Sequence, residues 1–95
     1  MANSLYIHRI EVIAGHRFIV IEDLNVGFMS VTNDIENVVE EISQKERINP
    51  CEHFIIYKDS EGVWDGFDFA TQQFVPIQNT DFKTAVSSLI KKATT

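Results

Sequence analysis

Apolar and polar positions along the chain fall into two similar halves. In the first, apolar segments Leu5–Ile13 and Phe18–Ile21 flank Ala14-Gly15-His16, a turn where glycine takes positive φ without steric cost. A third short segment, Gly27–Val31, leads to Asn33. Ile35, Val38, Val39 and Ile42 then recur at helical spacing, predicting a helix over residues 34–46 that stops before Asn49-Pro50. Asn33 followed by Glu36 has the spacing of a capping box, in which each side chain meets a backbone N–H left free by the helix start. The second half repeats the plan. His53–Tyr57 reads as a strand, Asp59-Ser60-Glu61-Gly62 as a turn, and Val63–Ala70 as an aromatic-rich returning strand. Phe74–Ile77 leads to Asn79-Thr80, after which Phe82, Ala85, Val86, Leu89 and Ile90 form the stripe of a second helix ending at Lys91 and Lys92.

The expected architecture is α+β, one domain over residues 1–95, in the order βββα-βββα. An antiparallel sheet of five to six strands would carry both helices on one face. The unbroken runs Phe18–Ile21 and Phe54–Tyr57 read as central strands covered on both sides, by the chain itself or by a partner subunit. Gly15 to Asn33 spans 18 residues and Gly62 to Asn79 spans 17, which suggests internal duplication. Turns and caps that any such chain needs would also produce the match.

Composition narrows the setting. A length of 95 residues at 44% apolar supports one ordinary core. A net charge of −6 argues against direct binding of nucleic acid or anionic membrane, since counterion release needs clustered Lys and Arg. The single Cys51 leaves no internal disulfide to form, so a cytoplasmic setting is expected. No apolar run approaches the ~20 residues of a membrane span.

The candidate chemistry is thin. Cys51 and His53 could be a nucleophile with its base or half a metal site, but only His8 and His16 remain as further ligands, on a distant hairpin. Asp59–Asp65 looks like a calcium loop, yet Trp64 and Ala70 stand where an EF-hand needs glycine and glutamate. Asp65 and Asp68 could be a glycosidase pair, but a strand would point them to opposite faces. The aromatics lack the basic groove of a single-strand platform. No enzyme, metal or cofactor is expected. Trp64 and Phe67 lie on opposite faces of their strand unless Gly66 marks a bulge, so one of them, with Trp64 nominated, is expected as an exposed interface anchor.

Charge placement says more. Eleven of the fourteen carboxylates lie in Phe18–Gln44 and Asp59–Phe82, two stretches that contain none of the eight Lys and Arg residues. Asp34, Glu36, Glu40 and Glu41 lie off the apolar face of the first helix, and Asp59, Glu61, Asp65 and Asp68 mark the second hairpin. Rows of carboxylates some 5–7 Å apart approach the charge density of a phosphate backbone, so these side chains are the candidate surface for a basic partner. A solvated surface kept for solubility is the competing explanation.

Two strings carry a resemblance: Ser30-Val31-Thr32-Asn33-Asp34-Ile35-Glu36-Asn37-Val38-Val39 and Ile56-Tyr57-Lys58-Asp59-Ser60-Glu61-Gly62-Val63-Trp64-Asp65-Gly66. They resemble small accessory proteins of T-even-type phages, the nearest family being the anti-restriction nuclease (Arn) proteins. The resemblance implies a homodimeric DNA mimic in the host cytoplasm that blocks a restriction enzyme and engages a nucleoid protein. It assigns no functional residue, because mimicry depends on charge distribution. The alternative is an adaptor that binds a host factor through an aromatic or sheet-edge surface.

Overall fold

The computed structural model describes residues 6–24 and 32–94. The elements are strands β1 (Tyr6–Ile13) and β2 (His16–Asp23), helix α1 (Thr32–Glu46), a 3-10 turn (Pro50–Glu52), strands β3 (Phe54–Lys58), β4 (Trp64–Asp68) and β5 (Gln73–Asn79), and helix α2 (Phe82–Thr94). The expected third segment, Gly27–Val31, lies outside the described residues. Among those described, two strands precede the first helix and three the second.

Local chemistry explains the turns. Ala14 and Gly15 both have positive φ, 52° and 81°, and connect the paired residues Ile13 and His16. This is the two-residue primed turn whose twist matches that of the flanking strands. In the β3–β4 hairpin the Asp59 carboxylate accepts from the backbone N–H groups of Glu61 and Val63, and Gly62 sits at φ 87°. At α2, Asp81 accepts from the Thr84 N–H and hydroxyl, an N-cap that precedes the apolar stripe. Asn33 is the second residue of α1, so the Asn33–Glu36 pair does not cap that helix start. Glu36 instead accepts from the Gln72 side chain.

The strands lie in sequence order, β1-β2-β3-β4-β5. Neighbours are antiparallel except β2 and β3, which are parallel. The sheet is therefore mixed, and the expected all-antiparallel arrangement is corrected. The physical reason is the connection: the chain leaves β2, crosses through α1 and returns to start β3 at the same end.

The helices lie on opposite faces, which corrects the expectation of a shared one. Ile19, Ile21, Ile55, Tyr57 and Phe67 pack against Ile35, Val38, Val39 and Ile42 of α1. Phe18, Val20, Ile56 and Trp64 pack against Ala85, Val86 and Leu89 of α2. Phe18 through Ile21 are fully buried because both faces of β2 are covered, as the unbroken apolar run predicts. Each such side chain contributes roughly 1.5–3 kcal/mol relative to exposure. Gly66 lies under α2, where an added Cβ would lie 2.8 Å from Leu89 Cδ1. No helix among the described residues is long and apolar enough to cross a membrane.

Candidate functional site

Helix α1 turns Ile35, Val38, Val39 and Ile42 inward together with Ser43, and its carboxylates lie off that buried face. Asp34 and Glu36 flank the outer face, while Glu40 and Glu41 are exposed on it. Glu46, which sequence reasoning missed because Lys45 interrupts the base-free stretch, extends the acidic layer by one turn. Two contacts tie this layer to β1. Glu41 accepts from the Tyr6 hydroxyl, and Glu46 Oε2 lies 2.9 Å from His8 Nε2. Partial burial, followed by the bond to Glu41 and its charge, raises the Tyr6 pKa above the ordinary tyrosine value.

The hairpin acids have other work. Asp59 and Asp68 each accept two backbone N–H groups at their turns, Asp68 those of Ala70 and Thr71. Asp65 accepts from Ile77 and Gln78 at 2.9 Å each. There β5 bulges around Pro76, the register against β4 slips between Trp64 and Gly66, and the Asp65 carboxylate stands in for the missing ladder acceptor. Three of the four nominated hairpin acids thus hold backbone together, and Glu61 remains exposed at the turn tip. The structure does not merge the hairpin and α1 acids into one bonded cluster.

Trp64 is 5% exposed, with its ring centroid 4.7 Å from that of Phe82 and Lys58 Nζ over its face. Phe67 is 3% exposed on the other face of β4. The expectation of an exposed aromatic anchor is corrected for both, because each helix covers one of them.

Glu22, nominally in a base-free stretch, meets Arg9 at 3.1 Å and Lys58 at 3.2 Å across neighbouring strands. Burial pushes its carboxyl up, but the bonds from Lys58 and Arg9 outweigh that and leave the pKa lowered. A stretch without bases in sequence is thus not without bases in space. Arg9 also bonds Glu11 and lies over the Phe82 ring.

Cys51 is exposed on the 3-10 turn. His53 donates from Nδ1 to the Asn49 carbonyl, and no hydrogen bond joins it to the thiol among the described residues. Both line a cleft of about 330 Å³ at the end of the sheet beside the last turn of α2, with Phe54 and Leu89 as apolar walls and Arg17 and Lys92 among the charged groups. No cluster of three or more His, Cys, Asp or Glu side chains suited to a metal forms among the described residues.

The two outer layers differ sharply in charge. α1 carries Asp34, Glu36, Glu40, Glu41 and Glu46 against Lys45, five charges against one, for a net −4. α2 carries Lys83, Lys91 and Lys92 with no acid, for a net +3. The sheet between them separates the two fields. Comparisons with protein-family models, with curated proteins and with solved structures each find no match.

Proposed function

We propose that the protein is a non-enzymatic acidic inhibitor whose α1 face occupies the basic groove of a DNA-binding protein, such as a restriction enzyme or nucleoid protein. The observation that carries this reading is the one-sided charge: five carboxylates on one outer layer, opposed by a single lysine there. Like charges at i, i+4, as at Glu36 and Glu40, cost stability in the free protein. A cationic groove would use them, and its counterions would be released on docking. The likeness to T-even phage accessory proteins points the same way, toward a host-directed role in a bacterial cytoplasm.

The test is capture from a bacterial lysate at two salt concentrations, using wild type and a variant with Glu36, Glu40 and Glu41 changed to Lys. Binding should weaken with salt and vanish on charge reversal, while reversal of Lys83, Lys91 and Lys92 should leave it intact. Equal affinity at low and high salt would sink the reading. Asp59, Asp65 and Asp68 are unsuitable for such a test, because their loss frees backbone groups at turns and a bulge. An adaptor role through the sheet edge is the second reading, favoured by the exposure of β1.

A further inference from the structure

We propose that the cleft at the end of the sheet binds a small zwitterion with an aromatic body, of the class of the free aromatic α-amino acids. This goes beyond the acidic-face reading and stands without it, since the cleft lies on the α2 side of the sheet. At about 330 Å³ it falls at the lower end of the roughly 300–1,000 Å³ of ligand pockets, which points to a small ligand. Phe54, Val75 and Leu89 of its wall belong to the core cluster under α2. Phe54 and Val75 are only partly buried there, so apolar surface remains for a ligand to cover. The rings of His16 and Phe18 already meet that of Phe54 at 5.1 and 5.3 Å, and a ligand ring would extend this aromatic cluster.

Strand geometry sets charges around this wall. Alternation along β3 puts Phe54 on the same face as Ile56, and alternation along β4 puts Asp68 on the same face as Trp64, both toward α2. Arg17, at the start of β2, reaches round the end of the sheet toward Glu52 of the 3-10 turn. Because β3 lies between β2 and β4, Arg17 and Asp68 come from strands two spacings apart, roughly 10 Å. An ammonium and a carboxylate carried on one carbon, each at ion-pair distance from a side chain, bridge a gap of that size. Lys92, in the last turn of α2, adds a second cation to the lining.

The bonds these groups already make leave them capacity for a ligand. Asp68 accepts the Ala70 and Thr71 N–H groups at 3.0 and 3.4 Å through Oδ1 alone, and its Oδ2 has no hydrogen-bond partner among the described residues. That oxygen can take an ammonium. Arg17 and Glu52 stand 3.9 Å apart, beyond hydrogen-bond reach, and are 65% and 63% exposed, so their pairing holds little. The guanidinium can take a ligand carboxylate through two parallel N–H groups, the arrangement arginine favours. On the lining Glu52 and Asp68 balance Arg17 and Lys92, which gives neither a lone anion nor a lone cation a net attraction. A ligand with one charge of each sign satisfies both at once, while its ring covers Phe54 and Val75.

NMR titration of the full chain with L-phenylalanine, phenylpropionate and phenylethylamine tests the site, the last two lacking the amine and the carboxylate respectively. L-Phenylalanine should shift the amides of Arg17, Phe54 and Asp68 with a dissociation constant of about 1 mM or below, and each analogue should bind at least about tenfold more weakly. Asp68→Asn keeps Oδ1 for the turn and removes the charge, so it should weaken L-phenylalanine and phenylethylamine without weakening phenylpropionate. Arg17→Gln should weaken L-phenylalanine and phenylpropionate without weakening phenylethylamine. Should Asp68→Asn unfold the chain, Arg17→Gln at its exposed site still decides. An analogue that binds as tightly as L-phenylalanine overturns the proposal. So do cleft amides left unmoved by L-phenylalanine at about 10 mM, or substitutions that weaken all three probes alike.

Discussion

Gly66→Ala tests how tightly α2 is seated on the sheet. The new methyl carbon would lie 2.8 Å from Leu89 Cδ1 and 3.3 Å from Val75 Cβ. Carbon atoms prefer about 3.5–4.0 Å, so Leu89 must retreat by roughly 0.7 Å or more. It is 3% exposed and has little space to retreat into. Overpacking of this kind costs about 1–3 kcal/mol, offset by about 0.4–1 kcal/mol because alanine restricts the unfolded chain. The expected net loss is about 1–2 kcal/mol, or roughly 4–8 °C in melting temperature for each kcal/mol in a chain of this size. Urea unfolding midpoints measure it, in a cycle with Leu89→Ala. Alone, that truncation should cost about 2–5 kcal/mol. In its background the methyl added at position 66 enters vacated space, so Gly66→Ala should become neutral or stabilising. Equal costs in the two backgrounds would refute the steric account.

Ser43 is buried at 7% exposure and its hydroxyl has no hydrogen-bond partner among the described residues, so Ser43→Ala should raise stability in urea unfolding by about 0.5–2 kcal/mol through a satisfied core and better helix propensity. The chain has two tyrosines, and burial raises both Tyr6 and Tyr57, the latter also facing Asp65, Asp59 and Asp23. Absorbance titration of the folded protein should therefore show no phenolate step near pH 10. Because both folded values lie above the unfolded one, this stability is present below pH 10 and is lost as pH rises beyond it. Asp81 is lowered from 3.8 by the Thr84 hydroxyl and then its N–H, so its contribution is complete above 3.8 and fades as pH falls through the folded value. Asp81→Asn should keep the helix cap while flattening that part of the acid unfolding curve, and a curve unchanged from wild type would exclude the assignment.

Much of the fold was legible. Helical spacing located α1 and α2 to within a few residues, and the turn residues marked the β1–β2 and β3–β4 hairpins but not the β4–β5 turn. The unbroken run Phe18–Ile21 also contained the answer about the helices: a strand apolar on both faces needs cover on both. Direction was not legible, since a period of two is the same for parallel and antiparallel strands. The acids were legible as a count and not as roles. Asp59 and Asp68 occupy turn positions whose carboxylates bond the backbone two and three or four residues ahead, and Asp65 answers a bulge over residues 76–78 of β5, distant in sequence. Glu22 found its bases on neighbouring strands, a proximity that linear spacing does not record.

The opposed charges of the two helices change what a net charge of −6 means. Their layers stand two packing distances apart, roughly 20 Å, while the field of an exposed charge decays over about 8 Å at physiological salt. An approaching molecule therefore senses the face it meets and not the total. The protein would arrive at a cationic surface already oriented, α1 first, because the opposite approach is repelled. Bound in that way, it would leave α2 and its three lysines turned outward, giving the assembled complex a positive face where the bare partner had its groove.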